Sequence, residues 1–310
     1  MPNSHTVLIS GAGQLGSRYL QGLASCKMPV RILVRDLSEE ALQRAKQRWM
    51  EVKDSNSPQG VSFATGLDGL PREVDVCIVA TTADVRPAAV RGIARRGRIR
   101  YWILEKLLAQ NLDGLDEFRS VVDGAEGTWV NMVRRVIPWH QEIRQAIGVR
   151  KQLHVELHGG FWGLACNGIH LIDHVTWLSG ERLHSIDASR LDPVWVDTKR
   201  AGFQEVTGTL QATYSSGTTL LLSATRDKLP ADYSVRYSVI DVQNGTRWTI
   251  SERDGFANCS DGRRVEGRMK LQSELTGRLV DGILAEGECD LTTFEESAEM
   301  HRIFLKALLK

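Results

Sequence analysis

The sequence lacks the features that would place the protein outside the class of ordinary globular proteins. It has no Cys-X-X-Cys pair, and its five cysteines are widely spaced, which excludes a disulfide framework and indicates a reducing, cytoplasmic compartment. It has no apolar run near about 18 residues and no basic, apolar leader, so we expect neither a membrane span nor a signal peptide. It has no charge excess, because 39 Lys and Arg balance 38 Asp and Glu. Nucleic acid and membranes are therefore not expected partners.

The 310 residues predict two domains, 1–125 and 126–310. The first 105 residues alternate short apolar segments with amphipathic ones, which is typical of an α/β, doubly wound parallel sheet of the Rossmann type. The predicted strands are 6–10, 30–34, 61–64, 74–80 and 99–104, and the predicted helices are 14–25, 39–50 and 86–96.

The second half has a different pattern. Residues 151–158 alternate apolar and polar side chains, which indicates a half-buried strand. Further strands are predicted at 185–190, 206–214, 218–225, 234–242 and 246–251, and a helix at 168–178. This pattern predicts a C-terminal α+β domain with an open antiparallel sheet. A final amphipathic helix, 294–309, has an apolar stripe that can pack back on the first domain.

A glycine motif follows the first predicted strand, and it is Gly11-Ala12-Gly13-Gln14-Leu15-Gly16. Gly11 permits a tight turn, Gly13 lets the backbone approach a pyrophosphate, and Gly16 lets the helix pack close to the strand. Gln14 and Leu15 open the helix, whose free N–H groups and positive dipole end attract an anion. In this strand–turn–helix context the motif predicts a dinucleotide-binding site.

An acidic residue, Asp36, lies twenty residues beyond the motif, at the end of the second strand. It is expected to accept hydrogen bonds from the adenosine ribose and to repel a 2′-phosphate, which favours NAD. Arg35 beside it could instead bind that phosphate, so NADP stays open.

Three further motifs accompany the fingerprint. They are Ala80-Thr81-Thr82-Ala83-Asp84, Leu104-Glu105-Lys106 and Gly168-Ile169-His170-Leu171-Ile172-Asp173, with an Asn131…Arg134-Arg135…Pro138 stretch before the last. With them nearly the whole chain resembles the Gfo/Idh/MocA oxidoreductase family, and 162–170 with 287–292 is similar to members from bacterial surface-sugar pathways. The resemblance implies an NAD(P)-dependent dehydrogenase or reductase that acts on CH–OH groups of a sugar, nucleotide sugar or related polyol.

The resemblance also implies roles for single residues. Lys106 and His170 are the expected catalytic groups, one polarising the substrate oxygen and the other transferring its proton. Glu105, which precedes Lys106, and Thr81 and Thr82 of the first motif are expected to border the cofactor together with Lys106. Expected substrate contacts are Arg134, Asn167 and Asp173. No metal site is predicted, because the Cys166, His170 and His174 spacing has no supporting motif.

The chain departs from the family pattern at three positions. Cys166 stands where the family commonly has Asp, Leu107 where it has Pro, and Arg86 where many members have His. Two other functions therefore stay open: a glycosidase that uses NAD for transient oxidation, and a catalytically silent NAD-binding regulatory protein.

One face of the second sheet carries His154, Glu156 and His158. Because helices are expected on the other side only, this face is expected to pair two subunits. A homodimer or a dimer of dimers is the predicted assembly, as the resemblance also implies.

Overall fold

The computed structural model describes residues 4–54, 56–58, 60–148, 150–230 and 235–309. The strands are β1 (His5–Ser10), β2 (Val30–Arg35), β3 (Gly60–Ala64), β4 (Glu73–Val79), β5 (Arg98–Leu104), β6 (Gly127–Val130), β7 (Leu153–Gly159), β8 (Leu183–Leu191), β9 (Val196–Asp197), β10 (Gln204–Glu205), β11 (Gly208–Tyr214), β12 (Thr219–Ala224), β13 (Arg236–Asp241), β14 (Arg247–Ser251), β15 (Phe256–Cys259), β16 (Arg264–Glu266) and β17 (Thr292–Thr293). The α-helices are α1 (Gln14–Leu23), α2 (Glu39–Val52), α3 (Arg86–Ala94), α4 (Leu112–Val122), α5 (Pro138–Ile147), α6 (Leu164–Ser179), α7 (Gln272–Glu286) and α8 (Phe294–Leu308), and a 3₁₀ helix spans Val133–Val136.

The first compact unit comprises Met1–Asn131 and Lys270–Ala298. Its sheet has the strand order β17-β6-β5-β4-β1-β2-β3, parallel except where β17 meets β6. The predicted Rossmann sheet is therefore confirmed. The strand order reverses between β1 and β4, so the crevice at the carboxyl ends of these strands is where this fold binds ligands.

The segment 270–298 was assigned to the second domain by the sequence pattern, but it belongs to the first unit. Small residues let α7 lie close to α1: a Cβ on Gly22 would lie 2.7 Å from the Thr276 Cβ, and one on Gly277 would lie 2.4 Å from the Ser25 hydroxyl oxygen. This return of the chain depends on contacts between distant residues, which no local periodicity reveals.

The second compact unit comprises Met132–Met269 and Glu299–Lys310. Its main sheet has the order β16-β15-β14-β13-β7-β12-β11-β8, and neighbours are antiparallel except for the parallel pair β7 and β12. The predicted open antiparallel sheet is confirmed in its main features. Ser234, the predicted start of the strand 234–242, lies outside the described residues. The apolar side chains of β7 are buried and its polar ones are half-buried or exposed, as the alternation predicted.

Helix α6 begins at Leu164, four residues earlier than predicted, and ends at Ser179 before Gly180, which has a positive φ. Its first turn therefore includes Cys166. No helix among the described residues is long and apolar enough to span a membrane.

Candidate functional site

The carboxyl edge of the first sheet gathers the polar residues that follow its parallel strands. Gly11 follows β1, Asp36 follows β2, Thr81 lies just beyond β4, Glu105 follows β5, and Asn131 follows β6. Because parallel strands end at the same edge, residues that are far apart in sequence lie together here. This edge is the candidate site of the first unit.

Glycine is needed at the three motif positions for different structural reasons. Gly11 has φ +95°, and a Cβ there would lie 2.9 Å from the backbone nitrogen of Thr81. A Cβ on Gly16 would lie 1.7 Å from the Gly11 carbonyl oxygen. Gly13 has no such neighbour, since its Cβ position has nothing within 4 Å. Gly11 and Gly16 are thus required by the fold itself, whereas the open side of Gly13 leaves room for a ligand.

The amino end of α1 can receive an anion. Gly13 is its N-cap and supplies no side-chain hydrogen bond, and the first turn has no acidic residue. Gln14 is exposed, and Leu15 beside it is half-buried. The Thr81 hydroxyl nearby is buried with no hydrogen-bond partner among the described residues. These features fit the pyrophosphate of a dinucleotide.

A residue that sequence reasoning missed, Arg48 of α2, reaches the same helix end. It donates to the Gln14 amide oxygen at 2.7 Å and to the Ser17 hydroxyl at 2.5 Å. Arg48 lies in the third turn of α2, far from any motif, so only the packing of α2 against α1 reveals it.

The two residues at the end of β2 are placed very differently. The Asp36 carboxylate accepts from the backbone N–H of Ala12 at 2.6 Å and of Ser38 at 2.8 Å. A carboxylate has about four acceptor positions, so it can accept further donors. Arg35 is only 7% exposed, and its guanidinium donates to the Val34 carbonyl at 3.1 Å. Burial lowers its pKa. Arg35 therefore points into the protein, not toward a surface where a phosphate would bind.

Glu105 is a buried anchor in this structure. It is 4% exposed, and its carboxylate accepts from the Tyr19 hydroxyl at 2.5 Å and from the Asn131 amide at 2.6 Å. Burial raises the pKa of the carboxyl, against the lowering effect of the Tyr19 hydrogen bond and the Arg86 charge. The carboxylate thus ties the end of β5 to α1, and Lys106, the next residue, is half-buried. Tyr19 was not identified from sequence because an aromatic residue on a helix usually belongs to the core.

Arg86 begins α3 and is almost fully buried. Its guanidinium donates to the carbonyl of Glu105 at 2.7 Å and to the carbonyls of Leu107 and Thr81. The predicted cofactor residue Thr82 accepts the Arg86 backbone N–H at 3.0 Å. Arg86, one of the three residues that differ from the pattern of the Gfo/Idh/MocA family, therefore joins the loops after β4 and β5.

In the second unit, the expected site residues lie along α6. Cys166 is exposed, His170 is half-buried and Asp173 is 1% exposed, and their spacing places them on one stripe of the helix. Asn167 donates its amide to the Trp162 carbonyl at 3.0 Å. Because the helix includes Cys166, the predicted common face is confirmed.

The amino end of α6 is capped by a residue distant in sequence. The buried carboxylate of Glu205 accepts from the backbone N–H of Ala165 at 2.8 Å and of Cys166 at 3.0 Å. This carboxylate therefore satisfies two orphan donors of the helix. No sequence signal pointed to Glu205, which lies in a two-residue strand.

Two expected substrate contacts are held in internal ion pairs. Arg134 binds both carboxylate oxygens of Glu252, at 2.6 and 2.9 Å. Asp173 accepts from Arg135 at 3.1 and 2.7 Å. The fork of a guanidinium matches a carboxylate in this way. The hydrogen-bonding capacity that the sequence assigned to a substrate is thus used within the protein.

The Arg134 pair belongs to a buried cluster with His140, His174 and Tyr237. The His140 Nε2 lies 3.5 Å from a Glu252 oxygen, and the His174 Nε2 lies 3.0 Å from the Tyr237 hydroxyl. Burial lowers the pKa of both imidazoles, and that of His174 well below its usual range.

Burial alone would raise the pKa of the Glu252 carboxyl, but the charge of Arg134 and the hydrogen bond with His140 hold it well below its usual range. In the described part of the chain, this cluster included, no group of three or more His, Cys, Asp or Glu side chains is arranged to hold a metal ion.

No family model and no curated protein matches this chain. Solved structures do match over nearly its full length. UDP-N-acetylglucosamine 3-dehydrogenase from Acidithiobacillus ferrooxidans is 17% identical, with a TM-score of 0.72 over 99% of this chain and 96% of that chain. A levoglucosan dehydrogenase in complex with NADH and L-sorbose is 13% identical, with a TM-score of 0.74 over 99% and 96%. Biliverdin reductase from Synechocystis, in complex with biliverdin and NADP⁺, is 13% identical, with a TM-score of 0.75 over 98% of each chain.

The shared feature is the fold. The three structures match this chain over nearly its full length, and the two-sheet architecture that the sequence patterns predicted is confirmed. Their different substrates mean that the chemistry of this chain has to be argued from its own residues.

Proposed function

We propose that the protein is an NAD(P)-dependent oxidoreductase that transfers a hydride between the nicotinamide and a sugar, nucleotide sugar or related polyol. The observation that carries the proposal is the edge of the first sheet, where an open glycine turn and the end of α1 lie at the same edge as the loop that holds Lys106. Two of the solved structures with this fold are dehydrogenases of a nucleotide sugar and an anhydrosugar, which supports the substrate class. The free cysteines agree with a cytoplasmic location.

Oxidation of a CH–OH group needs a route for the hydroxyl proton and a positive group beside the oxygen. Bound nicotinamide supplies the hydride acceptor. We assign the positive group to Lys106 and the proton acceptor to His170, because a histidine changes its charge near neutral pH. Asn167 remains a candidate substrate contact. We do not assign Arg134 or Asp173 to the substrate, since both are engaged in ion pairs.

The proposed cofactor is NAD in preference to NADP. Asp36 lies where the adenosine ribose is expected and would repel a 2′-phosphate, while the guanidinium of Arg35 is buried. Asp36→Ala is expected to weaken NADH binding by about 1.5–3 kcal/mol, the usual value of a hydrogen bond to a charged group. Glu39→Ala, which removes an exposed acid three residues away, is the matched control. Equal affinity of the unmodified protein for NADH and NADPH would contradict the preference.

The substrate class is tested by a panel of sugars, nucleotide sugars and polyols, followed through the absorbance of reduced nicotinamide. Turnover on a member of the panel supports the proposal. Hydrolysis of a glycoside without net formation of NADH would instead favour a glycosidase that uses transient oxidation. Tight NADH binding without any turnover would favour a silent, regulatory protein, to which the exposed Cys166 in the usual Asp position gives some support.

The proposed assembly is a homodimer, or a dimer of dimers, formed through the outer face of the second sheet. This face carries His154, Glu156 and His158 on β7 and, beside them, Leu221 on β12, half-buried within the single chain. Leu221→Glu is expected to weaken the association. Native mass measurement at micromolar concentration tests the proposal, and a monomer as the only species would exclude it.

A further inference from the structure

The position of Lys106 in the first unit is set by the backbone on both of its sides. Glu105 precedes it and Leu107 follows it, and the carbonyls of both accept from the guanidinium of Arg86. The same guanidinium also donates to the Thr81 carbonyl in the loop after β4. One side chain thus binds three carbonyl oxygens in two loops, with Lys106 between two of them.

This arrangement needs an arginine. Its guanidinium is planar and offers five N–H donors in a fixed geometry, whereas a lysine ammonium is a compact charge on a flexible stem. Arg86 is 2% exposed, and both terminal nitrogens of its guanidinium find acceptors inside the protein, in the three carbonyls. A buried polar group that loses its partner costs more than the partner contributes on average. By binding the three carbonyls, the guanidinium therefore fixes the distance between the loop after β4 and the loop after β5.

The loop after β4 is in turn packed against the glycine turn. A Cβ on Gly11 would lie 2.9 Å from the carbonyl carbon of Ala80 and from the nitrogen of Thr81. The path from the glycine turn to Lys106 therefore runs through Thr81 and Arg86. On the opposite side, the Glu105 carboxylate is held by Tyr19 of α1, the helix that the glycine turn begins. The backbone around Lys106 is therefore connected to the glycine turn in two ways, through Arg86 and through the Tyr19–Glu105 hydrogen bond.

We propose that Arg86 is a positioning residue, which fixes the backbone around Lys106 relative to the glycine turn and so sets the place of the Lys106 ammonium in the reaction. The inference rests on the proposed function for its kinetic consequences. It assigns a role to the residue at which the chain departs from the family pattern. Displacement of a catalytic group by about 1 Å can lower turnover by about 10²-fold.

The test compares Arg86→Ala and Arg86→Lys with Arg91→Ala, a control on the same helix whose side chain forms a partly exposed pair with Glu117. For each variant kcat, KM for the sugar, Kd for NADH and the melting temperature are measured. We expect kcat to fall by about 10²-fold in Arg86→Ala, with KM and Kd little changed, and to remain low in Arg86→Lys. Added guanidinium ion, below denaturing concentrations, should restore part of the turnover of Arg86→Ala and none of that of Lys106→Ala.

Folded Arg86→Ala or Arg86→Lys with the kcat of the unmodified protein would overturn the proposal. The proposal would also be overturned if the losses of kcat and of NADH affinity in Arg86→Ala were explained by a lower melting temperature and added guanidinium did not restore turnover. If Arg86→Ala does not fold, the kcat of Arg86→Lys alone tests the proposal.

If the unmodified protein turns over no member of the panel, the proposed substrate class fails, and the rate of Lys106 acetylation, followed by mass spectrometry with NADH present, becomes the readout. A several-fold change in that rate in Arg86→Lys, relative to the other lysines, supports the positioning role. An unchanged rate overturns it.

Discussion

The edge of the first sheet and the face of α6 hold their polar side chains in different ways. At the edge, Arg86 and Glu105 bind mainly neutral partners, which are carbonyls, a hydroxyl and an amide. Around α6 and the neighbouring 3₁₀ helix, buried arginines are neutralised by buried carboxylates, as in the Arg134–Glu252 pair. The first arrangement fixes the backbone of loops, and the second fixes helices by charge. The two units should therefore respond differently to loss of a single group.

The largest expected effect is on the charge-paired unit. Arg134→Met leaves the carboxylate of Glu252 buried without its main partner, which costs about 3–5 kcal/mol of unfolding free energy. Arg236→Met is the matched control, because its pair with Asp254 is exposed and screened by water, so its loss should change stability little. Chemical denaturation of both variants gives the two values. A cost below about 1 kcal/mol for Arg134→Met would remove the distinction between the two units.

The next effect separates the two roles of the glycine turn. Gly16→Ala places a methyl group against the Gly11 carbonyl and should destabilise the fold by about 3 kcal/mol. In Gly13→Ala the added methyl group contacts no protein atom, so the stability of this variant should be little changed. Its NADH binding should weaken, because the methyl group occupies the space that a pyrophosphate needs. Thermal melting and NADH titration measure both. Unweakened NADH binding by Gly13→Ala would mean that the turn does not hold the cofactor.

A third comparison concerns one proposed catalytic group from each unit. Lys106→Ala and His170→Ala are each expected to lower turnover by about 10²-fold or more, the lower part of the range for acid–base groups. Cys166→Ser should lower turnover much less, since the proposed route for the proton does not use the thiol that stands in place of the usual carboxylate. Steady-state kinetics with NAD-saturated, folded variants provide the test. Near-normal turnover of Lys106→Ala would place the chemistry on other residues, and a large loss in Cys166→Ser would point to the thiol.

Per histidine and per pH unit, the smallest effect is a dependence of stability on pH in the second unit. Burial keeps the pKa of His140 and His174 below that of an unfolded histidine, about 6.5. Below that pH the unfolded state binds more protons than the folded state, so stability falls as the pH drops from about 7 to about 5. Each histidine contributes up to about 1.4 kcal/mol per pH unit.

His174→Phe should remove one of these contributions, and the exposed control His184→Phe should not. The unfolding free energies of both variants, measured from denaturation curves at several pH values, test this difference. A variant lacking His174 whose stability changes with pH as much as that of the unmodified protein would contradict the burial of a neutral imidazole.

Local patterns were sufficient for much of the first unit. The strand–helix alternation and the glycine turn predicted elements that the structure contains, because each depends on neighbours a few residues away. The same patterns predicted the stripe of Cys166 and His170 on α6. They missed α4, α5 and α7, although the buried residues of α4 and α5 recur at helical spacing.

The sequence by itself determined the Rossmann sheet, the position of the glycine turn and the helix that carries His170, since these follow from hydrophobic period and from glycine geometry. Only the tertiary structure decided that Arg134 binds Glu252, 118 positions away, that Glu205 caps α6, and that Arg86 joins two loops. A charged residue in a sequence shows what it can bind but not what lies beside it. Its partner is selected by the folding of distant segments, because a buried charge is stable only where an opposite charge or several dipoles converge on it.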